Sequence, residues 1–293
     1  MNWQPILEQI HLITGQTVTQ VTASRLMGGD ISAAYRLQTE QFVYFIKLNR
    51  PEQFAMFQAE AAGLQQLAAT HTVRVPQPML CAKTDDYAFL VLEFIELHSL
   101  TPLAERLFGE QLASLHQIEH AYFGWHQDNT IGSTAQNNPV SHDWPHFWRD
   151  CRLVSQLALA AKNGYRGHLQ ALGERLCVKL PLLFDGYQPK PSLLHGDLWS
   201  GNVAMDLQGN PVLFDPACYY GDRVVDIAMT TLFNRFGNGF YEAYQATYPL
   251  DENSSLRTTL YNLYHILNHL NLFGSGYLKQ AERMIESLLA DLG

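Results

Sequence analysis

No stretch of this sequence stays apolar long enough to cross a bilayer, so no membrane-spanning helix is expected. Cysteine is scarce: Cys81, Cys151, Cys177 and Cys218 lie far apart and form no C-x-x-C pair. That spacing points away from a zinc knuckle or a disulfide framework and reads as reduced thiols. Basic residues are in deficit, 19 against 28 acidic ones, for a net charge of −9. Contact with a phosphate backbone needs clustered Lys and Arg, so a nucleic-acid partner is not expected. Neither G-x-G-x-x-G nor the P-loop pattern G-x-x-x-x-G-K-[ST] occurs. The opening Met-Asn-Trp-Gln-Pro has no basic flank and no sustained apolar core, so no signal peptide and a cytoplasmic location are expected.

What is present is ample core material. Of 293 residues, 47% are hydrophobic and 16% charged. The first part reads as strand-rich: a short helix over 3–13, then strands over 18–27, 31–38 and 42–48. Gly28-Gly29-Asp30 and Thr39-Glu40-Gln41 mark the turns between those strands. Pro51 opens a helix over 52–69 with apolar residues at Phe54, Phe57, Ala61, Leu64 and Leu67. Strands follow over 79–84 and 88–95. The rest reads as helical, over 102–117, 143–163, 167–184, 222–236, 238–247, 254–272 and 276–291. Residues 121–142 read as a loop. One hairpin, 202–206 with 211–215, is embedded among the helices. The pattern predicts an α+β chain of two lobes: a β-rich lobe over 1–97 and a helical lobe over 98–293, with a cleft between them.

The segment that carries chemistry is His195-Gly196-Asp197-Leu198-Trp199-Ser200-Gly201-Asn202. Asp197 and Asn202, five apart, match the catalytic-loop spacing H-x-D-x-x-x-x-N of kinases. Asp197 would accept the proton of an attacking hydroxyl, and Asn202 would turn back to hold Mg2+ on nucleotide phosphates. Asp215 follows the apolar run Val212-Leu213-Phe214, where the kinase fold keeps its second metal-binding Asp. Any one of these residues alone would pass for a turn residue; the ordered set does not. Lys47, flanked by Ile46 and Leu48, is costly to bury unless paired, and Glu60 on the next helix is its natural partner. That pair would orient a lysine onto the phosphates of ATP. Gly28 and Gly29 stand where a phosphate-covering loop belongs, although a plain hairpin turn explains them equally well. Glu93, Phe94 and Ile95 end a strand where the lobes would join, and their backbone is placed to meet adenine.

On these motifs the chain resembles the fructosamine kinase (ketosamine kinase) family, a branch of the aminoglycoside-phosphotransferase-like kinases. Trp199-Ser200-Gly201 inside the catalytic loop is the most diagnostic piece. Further matches include Asp128-Asn129-Thr130-Ile131-Gly132, Gln136-Asn137-Asn138, Asp143-Trp144 and Tyr219-Tyr220-Gly221-Asp222-Arg223. The resemblance implies a protein-kinase-like fold and ATP- and Mg2+-dependent phosphorylation of the 3-hydroxyl of a ketosamine, free or protein-bound, in deglycation. Ribulosamines and erythrulosamines are the expected acceptors ahead of fructosamines. It also implies that Trp199 and His195 face substrate and that Asp226 holds the catalytic-loop backbone. The family's loop often reads Gly-Gly-Cys-Ile-Asn where this chain has Gly28-Gly29-Asp30-Ile31-Ser32, so redox control at that cysteine is not expected. Two competing readings are a kinase for another metabolite, such as an aminoglycoside or choline, and a silent nucleotide-binding protein.

Overall fold

A five-stranded antiparallel sheet forms the upper lobe, in the order β1-β2-β3-β5-β4. Its strands are β1 (Thr22–Arg25), β2 (Ala33–Gln38), β3 (Val43–Asn49), β4 (Pro78–Lys83) and β5 (Ala88–Glu93). The computed structural model describes residues 3–15, 20–26 and 31–293. The ends of the expected strand 18–27 and the pair Gly28-Gly29 therefore lie outside the described residues.

Period-two alternation in β3 decides what the lobe offers to the cleft. Tyr44, Ile46 and Leu48 are buried on one face, against Ile6 and Ile10 of α1 (Gln4–Thr14). Lys47 therefore points to the opposite face, where α2 (Phe54–Ala68) packs. On α2, Phe57, Glu60, Leu64 and Leu67 share one buried stripe at helical spacing, which aims Glu60 at the sheet. β5 is buried on both faces: Phe89 and Val91 join the α1 side, and Leu90 and Leu92 join the main core.

The chain leaves the sheet at Glu93 and pairs again at His98, with Met205. The lower lobe holds α3 (Pro102–His116), capped by the Thr101 hydroxyl accepting from the Ala104 N–H at 3.2 Å. It also holds α7 (Val224–Leu232), α8 (Asn238–Thr247), α9 (Ser254–Phe273) and α10 (Leu278–Asp291). Among the described residues, no helix is long and apolar enough to cross a membrane.

Several expected elements are redrawn. The loop over 121–142 contains a hairpin, β6 (Asn129–Ile131) with β7 (Thr134–Gln136). The expected helix over 143–163 is α4 (Trp144–Trp148), a π-helical turn (Arg149–Val154) and α5 (Ser155–Lys162). The helix over 167–184 is α6 (His168–Lys179) followed by a 3-10 turn containing Pro181. The embedded hairpin is shorter, β9 (Val203–Met205) with β10 (Pro211–Leu213), so Asp215 stands beyond its strand rather than at the end of it. Two strands escape the sequence reading, β8 (Ser192–Leu194) and β11 (Tyr219–Gly221), and they pair with each other. Each is only three residues long, too short to show a period.

Candidate active site

β8 and β11 matter because of what is attached to them. β8 runs into His195-Gly196-Asp197, and β11 is preceded by Asp215-Pro216-Ala217-Cys218. Two backbone bonds clasp these stretches together: the Ala217 N–H donates to the His195 carbonyl (2.8 Å), and the Phe214 N–H donates to the Asn202 carbonyl (3.1 Å). Asp197, Asn202 and Asp215 thus converge although 18 residues separate the first from the last. Gly196 is required at its place. It has φ +84°, and a Cβ there would lie 2.1 Å from the Ala217 carbonyl oxygen.

Asp226, in the first turn of α7, holds the loop from beneath. Its two oxygens accept from the backbone N–H groups of His195 (2.7 Å) and Gly196 (2.8 Å), with His116 Nε2 at 3.2 Å. Burial pushes its carboxyl up, but these donors together hold it below the usual carboxylate range. His195 does not face the cleft. It is fully buried: Nδ1 accepts from the Asp197 N–H (3.3 Å) and Nε2 donates to the Phe214 carbonyl (3.0 Å). Both bonds require the neutral ring, and burial lowers its pKa to match. The expectation that His195 contacts substrate is corrected accordingly: the ring braces the loop.

Asn202 donates from Nδ2 to the Asp197 carbonyl (2.8 Å) and to Asp197 Oδ2 (3.1 Å). Burial, and then the charge of Asp215, push Asp197 up to about 7, against the lowering effect of the Asn202 bond. A carboxylate so raised is poised to take up a proton near neutrality.

Lys47 Nζ reaches Glu60 Oε1 at 2.7 Å and Asp215 Oδ1 at 2.5 Å. Burial opposes its charge, but the two carboxylates outweigh burial and hold it protonated. The direct bond between Lys47 and Asp215 has no signature in the sequence, since 168 positions separate the two residues. Asp215 itself has φ +57°, a left-handed conformation uncommon outside glycine. Its side chain remains 44% exposed.

A divalent cation is implied by this type of site, and the donors present suit one. Both side-chain bonds of Asn202 are made by Nδ2, and the Asp215 carboxylate, which meets Lys47 through Oδ1, is partly exposed. Hard oxygen donors of this kind are what Mg2+ takes from protein.

At the hinge, Glu93 uses its side chain on the protein, with Arg74 Nη2 at 3.0 Å and the Gln77 N–H at 3.3 Å. The Phe94 ring lies beneath the Arg36 guanidinium, 5.3 Å away. The side chains of Glu93 and Phe94 are thus engaged within the protein, and the Glu93 N–H donates to the Gln77 carbonyl at 2.9 Å. Trp199 lies over Gly201, where a Cβ would stand 2.2 Å from the indole, and meets Phe233 edge-on at 6.3 Å. Phe233 in turn lies 4.8 Å from the His269 ring, so the three form a partly exposed aromatic run that begins at Trp199, two residues from Asp197. Trp125, Trp144 and Trp148 are core residues.

Comparison with known proteins places the chain in a family. The pattern described as fructosamine kinase matches residues 2–291. A probable ketoamine kinase of Synechocystis is 44% identical over 98% of this chain and 97% of its own. A chloroplastic protein-ribulosamine 3-kinase of Arabidopsis thaliana is 39% identical over 99% of this chain and 89% of its own. The crystal structure of a candidate fructosamine-3-kinase from Haemophilus somnus superposes with a TM-score of 0.90 at 28% identity, covering 98% of this chain and 97% of that one.

Proposed function

The chain belongs to the fructosamine kinase family, and we propose that it transfers the γ-phosphoryl group of ATP to the 3-hydroxyl of ketoamines, ribulosamines foremost, in cytoplasmic deglycation. Residues 1–97 hold the nucleotide and residues 98–293 the acceptor. The observation that carries this reading is Asp197, raised to about 7 and bonded to Asn202, beside the Lys47–Glu60–Asp215 ion pairs.

Adenine lies against the backbone of Glu93–Ile95, and Lys47, oriented by Glu60, contacts the phosphates. On sequence grounds alone, Gly28 and Gly29 would belong to the loop that covers them. Asn202 and Asp215 hold Mg2+, which offsets the phosphate charge when bound. Asp197 takes the proton of the acceptor hydroxyl as its oxygen forms the new bond to the γ-phosphorus. The bond from that phosphorus to the bridging oxygen breaks, and ADP leaves with its electron pair. Trp199, backed by Phe233, offers a flat apolar face to the sugar.

The test is magnesium-dependent ATP turnover with ribulose-lysine, erythrulose-lysine and fructose-lysine, repeated with Asp197→Asn. Turnover with ribulose-lysine that drops by roughly 10²–10⁴ in the variant is expected. Turnover by the variant at the normal rate would remove Asp197 as the base, and no turnover with any ketoamine would remove the substrate class.

A further inference from the structure

Three side-chain amides lie buried behind the link that follows Asp215: Asn129 in β6, Gln136 in β7, and Asn138 just beyond. Their orientation is set by a cation. Arg152, in the π-helical turn, is fully buried, and among the described residues no carboxylate pairs with it. Its guanidinium lies over the Tyr219 ring at 4.3 Å and donates to Asn138 Oδ1 and to the Asn137 carbonyl, both at 2.7 Å. Arginine only donates, so the Asn138 oxygen must be the accepting end and Nδ2 the donating end. That Nδ2 donates to Asn129 Oδ1 at 3.0 Å, which leaves Asn129 Nδ2 to donate to the Cys218 carbonyl at 2.8 Å. Gln136 is aligned the same way. Its Oε1 accepts from the Tyr264 hydroxyl (2.8 Å), and its Nε2 donates to Asn129 Oδ1 (2.8 Å) and toward the Ala217 carbonyl (3.4 Å).

The chain of donors thus ends on two consecutive carbonyls, in the link between Asp215 and β11. The same link is held on its other side by the His195 carbonyl. It also bears on α2: a Cβ at Gly63 would lie 3.2 Å from Cys218 Sγ and 3.3 Å from Pro216 Cγ. Glu60, the partner of Lys47, is one turn earlier on that helix. A left-handed aspartate persists only where its surroundings over-determine it. Here the surroundings include three buried amides whose hydrogen bonds agree in direction.

We propose that the cluster Asn129–Gln136–Asn138, polarised by Arg152, is a positioning element that holds the 216–218 link so that Asp215 keeps its left-handed conformation and its reach to the metal. This rests on reading Asp215 as a metal ligand.

The experiment is calorimetric titration of ADP, with and without Mg2+, into wild type, Asn129→Leu, Tyr264→Phe and Asp215→Asn. Asn129→Leu should bind metal-free ADP within about twofold of wild type, yet lose about 10-fold or more of the gain that Mg2+ confers. Tyr264→Phe, which frees the Gln136 amide without opening the cluster, should lose a smaller share of that gain. An undiminished magnesium gain in Asn129→Leu would overturn the proposal and leave the cluster as hairpin packing. Should that variant not fold, an undiminished gain in Tyr264→Phe does the same. A full gain in Asp215→Asn would instead refute Asp215 as a ligand. Loss there, with a normal gain in Asn129→Leu, would refute the positioning role alone.

Discussion

Asp197 is held at odds with its own charge, and both activity and stability should show it. Its pKa is raised to about 7, while an unfolded aspartate titrates near its ordinary value of 3.8. As the proposed base, Asp197 would work only when unprotonated, so kcat/KM should climb as pH rises through about 7 and level off above it. A profile flat between about pH 5.5 and 8.5 would show that another group limits the reaction. The stability effect has the opposite sign. A carboxyl with a raised folded pKa favours folding below its unfolded pKa, and that contribution is lost as pH climbs through the folded value. Asp197→Asn should therefore raise Tm at pH 8 by a few degrees, on the order of 1 kcal/mol or more, and leave it unchanged at pH 4. Lys47 poses the reverse problem, because two carboxylates depend on it. Lys47→Met leaves Glu60 buried without its cation, and should cost about 3 kcal/mol in denaturant unfolding at neutral pH as well as lowering kcat.

At the scale of elements, the catalytic loop is shaped by contacts that admit no side chain. Gly196→Ala combines a left-handed φ with a 2.1 Å clash against backbone, and should cost more than about 2 kcal/mol and abolish turnover. Gly186, with φ +73° but open space around it, supplies the control: Gly186→Ala should cost about 1 kcal/mol and leave kcat unchanged. Equal losses from the two would show that φ alone, and not the approach to Ala217, sets the penalty. The same distinction explains what was legible in the sequence. The existence of the strands follows from alternation and from the turns between them, and Lys47 facing Glu60 follows from two periods read together; the order in which the strands pair was not legible. β8 and β11 were not legible, since three-residue strands exist only through their mutual pairing. The hairpin β6–β7 was hidden for a similar reason. Its polar Asn and Gln read as loop composition, yet they are buried because Arg152 and two carbonyls satisfy them. The ion pair between Lys47 and Asp215 joins residues from different lobes and has no local signature.

For the whole molecule, the two lobes share the larger of two apolar clusters and, under the proposed function, face two ligands of opposite charge. The main apolar cluster runs from Leu90 and Leu92 of the sheet through Phe57 and Leu64 of α2 to Leu267 of α9, so the lobes should unfold together. Charge is less evenly shared between the ligands. The chain carries −9 overall, ATP is a polyanion, and a ketoamine on lysine keeps a protonated secondary amine. Long-range attraction should favour the acceptor and oppose the nucleotide. Salt screens both over a Debye length of about 10 Å at 0.1 M. Raising ionic strength from about 20 to 200 mM should therefore lower kcat/KM for ribulose-lysine by roughly twofold to fivefold, and should raise kcat/KM for MgATP or leave it level. The paired slopes separate encounter from damage. A salt effect on folding or on the chemical step would move both in one direction, and slopes of the same sign would show that the net charge of the protein plays no part in selecting a cationic acceptor.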